Sequence, residues 1–376
     1  MLDNKRILFA TGGTGGHINP AIAVADLIRR RFPSAVILFV GTAEKMESRL
    51  VPDAGFDFET IDISGFQRSL TAANIKKNMA AALKLMRSSS RAAEIIKKFK
   101  PDVAVGFGGY VSGPVIMSAA RLGIPTAIHE QNAFPGVTNK ILAKRVDAVM
   151  LTVQASEKYL TPKNPCIITG LPVRDEIVSA NRELSRFELG LDERPLILST
   201  GGSLGARVIN ERIAALITAK HKDEDCFFLH AYGQYGGWMP DRLREAGVDL
   251  DKEKHIILRE YISDMHRCLA AADIVVGRSG ASSISEIEAA GKASILIPSP
   301  NVAENHQYHN AMALVRNGAA LMIEEKDLTE ERLLSEVNEL LKNREKIDEL
   351  GKKAGEMAIV DSARRILKVI ENVAGK

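Results

Sequence analysis

The 376-residue sequence predicts an α/β protein of two Rossmann-like, doubly wound domains facing a cleft, and three observations predict it. Short apolar runs alternate with helix-patterned stretches along the whole chain, as βαβ units require. The runs are too many for one comfortable sheet. Each half opens with the same device, "ATGGTGGHINPA" at Ala10 and "STGGSLGARVIN" at Ser199, a glycine-rich turn after an apolar strand. The predicted divisions are an N-terminal domain over 1–168, a C-terminal domain over 169–357 and a last helix over 358–376.

The first strand, "RILFA", ends in Gly12, Gly13, Gly15 and Gly16, with Thr14 between them and His17 at the helix start. Glycines permit left-handed backbone and close approach to a ligand. Their amides, ahead of a helix N-terminus, seat a phosphate; a tight turn without a ligand is the alternative. After "AVILFV" comes the basic stretch Gln67 to Lys100, where nine Lys and Arg face the single acid Glu94. Ile75, Met79, Leu83 and Met86 recur there at helical spacing beside Lys76, Lys77, Lys84 and Arg87. That pattern fits a helix lying on an anionic membrane, or one buried against its own domain with solvated lysines outside. "VAVGF" runs into "GFGGYVSGP", a second glycine-rich strand end carrying Gly108, Gly109, Tyr110 and Ser112. Two cradles suit a diphosphate. "TAIHE" then brings "HEQN", His129 to Asn132, to the same carboxyl edge of the sheet, where open α/β sheets bind ligands.

"AVMLT" precedes "CIITGLPVRDEI", Cys166 to Ile177, where a strand ends in glycine and proline before a polar helix. In the second half "LILST" leads into "GGSLGAR", and "DIVVG" into "GRSGASSISEIEAAG". Both set small residues ahead of a helix, offering amides and hydroxyls to an anion. Glu286 falls about two turns into the second of these helices, where a carboxylate can accept the hydroxyls of a ribose. "CFFLHA", "HIILRE" and "ASILIP" supply further strands. The closing helix "DSARRILKVIENVAGK" gathers Ile366, Val369, Ile370 and Val373 on one face and is predicted to pack back on the N-terminal domain.

Composition excludes several classes. Apolar residues make up 45% and charged residues 26%, a soluble enzyme's balance, and no apolar run approaches the roughly 18 residues of a membrane span. The start "MLDNKRILFA" has neither an apolar core nor a small-residue cleavage site, so a cytoplasmic protein is expected. Cys166, Cys226 and Cys268 have no metal or redox spacing and read as buried, reduced thiols. The net charge is +3, with 20 Lys and Arg against 12 Asp and Glu in residues 1–150. Few aromatics lie in the basic stretch and no reading motif occurs, so no nucleic-acid partner is expected. Neither glycine loop has dinucleotide spacing, since Ile18 and Ser203 stand where glycines are needed, and neither ends in the Gly-Lys-Ser/Thr of a P-loop.

Taken in order, "GGTGGH", "GFGGYVSGP", "HEQN", "LPVR", "GGSLGA", "GRSGASSISE" and "HQYHNA" closely resemble the bacterial MurG family, the peptidoglycan N-acetylglucosaminyltransferases of the GT-B class, over nearly the whole chain. The resemblance implies inverting transfer of N-acetylglucosamine from UDP-GlcNAc to the C4 hydroxyl of N-acetylmuramic acid in lipid I, giving lipid II. It implies a peripheral enzyme on the cytoplasmic face of the cell membrane, with cell-wall synthesis proteins as possible partners. By this likeness residues 12–17 and 106–113 hold the acceptor's diphosphate. Residues matching Arg174, Ser203, Ser282, Ser283 and Glu286 approach UDP, and those matching Asn132, His306 and Gln307 approach the sugar. Thr14, Gly15, Gly16, His17, Leu204, Gly205, Ser279 and Ala281 belong to the same donor motifs. The family commonly has Gln at Leu204, Asn at Leu171 and a Gln pair at His306 and Gln307.

The chemistry asks for a base on the attacking hydroxyl and a charge sink for the leaving UDP. His17 is the first candidate base, with Glu130 and His129 in reserve; capping the helix or binding phosphate as a cation are its alternative roles. Arg278, Arg174 and the amides of Ser203 to Ala206 suit the leaving group. Two Asp-x-Asp tripeptides, Asp223 to Asp225 and Asp249 to Asp251, precede strands at the far edge, so no metal or other cofactor is expected. A UDP-GlcNAc 2-epimerase, a glycolipid synthase or a non-catalytic nucleotide-sugar module would share the second half alone.

Overall fold

The computed structural model describes residues 2–63 and 72–375, with the backbone alone for 72–83. The chain forms two compact units, Met1–Pro172 with Asp361–Lys376, and Val173–Val360.

The first unit holds seven strands: β1 (Arg6–Ala10), β2 (Val36–Gly41), β3 (Asp57–Thr60), β4 (Val103–Gly106), β5 (Thr126–Glu130), β6 (Ala148–Leu151) and β7 (Ile167–Ile168). They lie in the order β3-β2-β1-β4-β5-β6-β7, every pair parallel. The central strands are buried on both faces, which is why they read as unbroken apolar runs. β3 escapes that pattern. Asp57 and Glu59 alternate with Phe58 and Thr60 on a strand that pairs with β2 alone, so the run carries no continuous apolar signal.

The second unit contains β8 (Leu196–Thr200), β9 (Phe227–Ala231), β10 (Ile256–Arg259), β11 (Ile274–Gly277), β12 (Ala293–Leu296) and β13 (Leu321–Met322), ordered β10-β9-β8-β11-β12-β13 and also parallel throughout. β13 is too short to be seen in the sequence.

In each sheet the strand order reverses once, between β1 and β4 and between β8 and β11. At such a switch point the loops leaving the two strands diverge to opposite faces and open a crevice at the carboxyl edge. The loops leaving β1 and β4 are the two glycine stretches of the first half. Those leaving β8 and β11 are "GGSLGAR" and "GRSGASS".

The last helix, Ser362–Ala374, belongs to the first unit, where Ile366, Leu367, Ile370 and Val373 join Leu2, Val24 and Ile28 in one core. Cys226 and Cys268 are buried, Cys166 partly so, and all are free thiols.

Candidate active site

In the first unit the two glycine loops touch. Gly109 sits at φ +79°, and a Cβ there would collide with the carbonyl oxygen of Gly12. Gly108, at φ +93°, lies over the His17 ring, where a Cβ would stand 2.8 Å from Nδ1. Only glycine allows this approach. Thr14 takes the extended N-cap conformation and its carbonyl accepts the His17 and Ile18 amides. The amides of Gly15 and Gly16, first in the helix Gly15–Arg31, have no intrahelical acceptor. Gly13 is different: its amide donates to Glu47 Oε2 at 3.0 Å, while Oε1 of the same buried carboxylate accepts the Thr42 amide and hydroxyl. Sequence reasoning missed Glu47, which spends one amide of the cradle and places a carboxylate behind it. Ser112 is also committed, its buried hydroxyl donating to the carbonyls of Ala10 and Gly108, so it ties the loops together. Tyr110 is exposed. The buried Thr11 hydroxyl has no partner among the described residues.

His17, His129 and Gln131 form one chain of hydrogen bonds. Gln131 Nε2 donates to the Phe107 carbonyl at 3.0 Å, which fixes the amide orientation and turns Oε1 to His17 Nδ1 at 2.9 Å. His129 is fully buried, stacked on Phe107, with Nε2 donating to the Gly170 carbonyl and Nδ1 facing Gln131 Nε2. Burial holds its pKa down at about 4, so it is neutral. Desolvation also lowers the His17 pKa, against the Gln131 hydrogen bond and the charge of Glu47. Glu130, buried beside them, accepts from the Asn132 amide and Nδ2 on Oε1, and from the Gly136 amide and Asn139 Nδ2 on Oε2. Burial raises its pKa and these bonds oppose the rise. Its oxygens and the Asn132 side chain are thus engaged in organising the loop after β5.

In the second unit the loop after β8 is braced by a segment the sequence did not single out. A Cβ on Gly205 would strike the Tyr232 carbonyl, and the Gln234 and Tyr235 amides donate to the carbonyls of Ser203 and Leu204. Behind it Ser199 Oγ donates to His230 Nδ1, His230 Nε2 meets Asn210 Oδ1, and Asn210 Nδ2 donates to the Tyr232 carbonyl. Burial drives the His230 pKa to about 3, so the brace is uncharged. The signal in the sequence was "YGQYGG", a third glycine cluster after a strand. Among the amides from Ser203 to Ala206, that of Gly205 is bound to the Gly202 carbonyl. Leu204 is exposed.

Glu286 on the helix Ala281–Ala290 is paired with Arg174, whose Nε and Nη2 donate to Oε1 at 3.2 and 2.9 Å. Burial raises its pKa and Arg174 opposes the rise. Ala281, Ser282 and Ser283 form the first turn of that helix. Arg278 is not a free cation: it pairs with Glu325 at 2.6 Å and donates to the Ile297 carbonyl. Ser279 donates to the Gln307 carbonyl, and Gln307 Oε1 accepts the Ser299 amide, so these two fasten a loop. His306 Nδ1 donates to the Ala303 carbonyl, just after Glu304 and Asn305 in left-handed backbone at φ 55° and 49°.

The Asp-x-Asp pairs lie at the amino ends of β9 and β10, away from these loops. Asp223 and Asp225 both bind the buried Lys220 ammonium, and Asp249 pairs with Lys252. Among the described residues no cluster of His, Cys, Asp and Glu could hold a metal ion. Of the residues proposed for a membrane, the side chains of Ile75, Lys76, Lys77, Met79 and Leu83 lie outside those described. Met86 and Arg87 are exposed and Lys84 pairs with Asp62, while Ile95, Ile96 and Phe99 further along the helix Ala72–Phe99 are core. A groove of about 740 Å³ lies between the helices Ser112–Arg121 and Val137–Leu142, lined by Val137 and Ile141 with Arg121, Lys140, Lys144 and Arg145. Among the described residues no helix is long and apolar enough to cross a membrane.

The glycosyltransferase family 28 N-terminal domain matches residues 7–151, and the glycosyltransferase family 28 C-terminal domain residues 196–366. A protein of Desulforamulus reducens is 44% identical over 98% of both chains, and one of Acetivibrio thermocellus is 43% identical, also over 98% of each. Both bear the name UDP-N-acetylglucosamine--N-acetylmuramyl-(pentapeptide) pyrophosphoryl-undecaprenol N-acetylglucosamine transferase. Among solved structures, Acinetobacter baumannii MurG superposes with a TM-score of 0.79 at 28% identity, covering 98% of this chain and 99% of that one.

Proposed function

Because the chain belongs to the MurG family of glycosyltransferases, we propose a division of labour among its residues in a single reaction. The enzyme transfers N-acetylglucosamine from UDP-GlcNAc to lipid I and forms lipid II. The C4 hydroxyl of the muramyl sugar attacks the anomeric carbon from the face opposite UDP, so configuration inverts. As the new C–O bond forms, the bond to the UDP oxygen breaks through an oxocarbenium-like state. His17 Nε2 takes the hydroxyl proton. The departing diphosphate collects negative charge, which Arg174 and the first-turn amides of the helices Arg207–Lys220 and Ala281–Ala290 offset.

The acceptor's own diphosphate rests on the amides of Gly15 and Gly16 and the neighbouring loop at Gly108, Gly109 and Tyr110. Glu286 accepts the ribose hydroxyls, and Asn132, His306 and Gln307 contact the transferred sugar. Helix dipoles and arginine take the role a divalent cation has in other nucleotide-sugar transferases. The undecaprenyl chain keeps the enzyme at the cytoplasmic face of the membrane. There the cationic groove lined by Val137, Ile141, Lys140, Lys144 and Arg145 faces anionic lipid, each cation contributing about 1 kcal/mol.

The observation that carries this reading is the close packing of the two glycine loops at the β1/β4 switch point with His17 between them. It is tested by incubating the protein with labelled UDP-GlcNAc and a lipid I analogue. The expected product is a labelled disaccharide-linked lipid, and His17→Ala lowers its rate by ~10²- to 10⁴-fold with UDP binding retained. Label found only in free N-acetylglucosamine or an epimerised nucleotide sugar would overturn it.

A further inference from the structure

We infer that Gln131 is a positioning residue: it holds His17 as the Nδ1–H tautomer and so leaves the Nε2 lone pair to take the proton. This rests on His17 being the base.

The argument is one of donors and acceptors. A glutamine amide could face either way, but Gln131 Nε2 lies 3.0 Å from the Phe107 carbonyl and 3.2 Å from the His129 carbonyl, and both of those only accept. The nitrogen must therefore point there, and Oε1 must face His17 Nδ1 at 2.9 Å. An amide oxygen only accepts, so the proton is on Nδ1. His17 Nε2 has no hydrogen bond among the described residues.

The relay is itself locked from behind. His129 Nε2 faces the Gly170 carbonyl at 2.9 Å and must donate, which leaves Nδ1 unprotonated and facing Gln131 Nε2 at 3.1 Å. Every proton between Gly170 and His17 is fixed by a backbone carbonyl at one end or the other. The titratable groups around His17 are Glu47, whose charge favours protonation, and His129, which burial keeps neutral. A neutral amide between the two imidazoles orients the base without adding charge. A carboxylate there would orient it too, and would also make it harder to deprotonate.

Three measurements decide the matter. Nitrogen-15 NMR of histidine-labelled enzyme, with His17 assigned by its loss in His17→Gln, should show a protonated Nδ1 and a bare Nε2. The opposite tautomer overturns the proposal whatever the kinetics. Gln131→Leu should lower kcat by ~10- to 100-fold with KM for UDP-GlcNAc within about twofold, in protein whose thermal unfolding is cooperative. Gln131→Glu should recover turnover at high pH and shift the acid limb of kcat upward, since a carboxylate raises the pKa of His17. A merely structural role would move neither the limb nor the tautomer, and Gln131→Leu with unaltered kcat and limb overturns the inference. Should His17→Ala keep full turnover, it is the base assignment that falls, and the NMR result alone judges the tautomer.

Discussion

Glu286 meets Arg174 through one carboxylate oxygen, Oε1, and Oε2 is the oxygen proposed to accept the ribose hydroxyls. Hydrogen bonds to a charged partner are worth about 1.5–3 kcal/mol, so Glu286→Gln should weaken UDP binding about 10-fold or more, read by calorimetry, with kcat changing less. Unchanged UDP affinity would remove Glu286 from the donor site. The residue was legible as a carboxylate set behind a small-residue loop. Its pairing was not, because Arg174 lies 112 positions earlier in the chain. The same limit hid the partners of Arg278 and His17. A lone arginine beside a loop reads as a cation for phosphate, and only the fold brings Glu325 against it. Likewise the sequence can propose His17 as a base, whereas its protonation depends on Gln131, 114 positions away.

Loops after strands were the clearest elements in the sequence, since an apolar run that stops in glycines is how a buried parallel strand gives way to a turn. Local pattern by itself does not give which loops are neighbours. That follows from strand order, and the reversal between β1 and β4 is set by packing of helices on both sheet faces rather than by any local pattern. It also accounts for why two glycines with nearly equal φ should respond differently to mutation. Gly123, at φ +74°, has nothing within 4 Å of a built Cβ, so Gly123→Ala carries only the left-handed penalty of ~1–2 kcal/mol. Gly109, at φ +79°, adds a collision with the Gly12 carbonyl. Gly109→Ala should therefore lower the melting temperature further than Gly123→Ala. It should also raise KM for the lipid acceptor while leaving KM for UDP-GlcNAc alone. Equal effects of the two substitutions on acceptor KM would argue that the β1 and β4 loops do not act as one cradle.

At the scale of the molecule, the chain leaves its first unit at Pro172, builds the second, and returns at Asp361. The return is not decorative. Ile366, Leu367 and Ile370 on the final helix are all but fully buried in the core that also holds Leu2, Val24 and Ile28. Burying a side chain of that size contributes about 1.5–3 kcal/mol. Three of them reach about 5–9 kcal/mol, the scale of a whole domain's stability at about 5–15 kcal/mol. The second unit has its own core, built from residues such as Ile209, Phe228, Ile274 and Leu333, and an internal ion network in which buried Asp273 binds Arg182, Arg186 and Arg344. A chain ending at Val360 should therefore lose the first unit and keep the second. Hydrogen exchange should report collapse of protection across β1, β2 and β4, with the strands from β8 to β12 unchanged. UDP should bind with near-native affinity and no sugar should reach lipid I. If the shortened chain still transferred sugar at the native rate, the last helix could not be part of the first unit's core, and the amphipathic face seen in "DSARRILKVIENVAGK" would need another purpose.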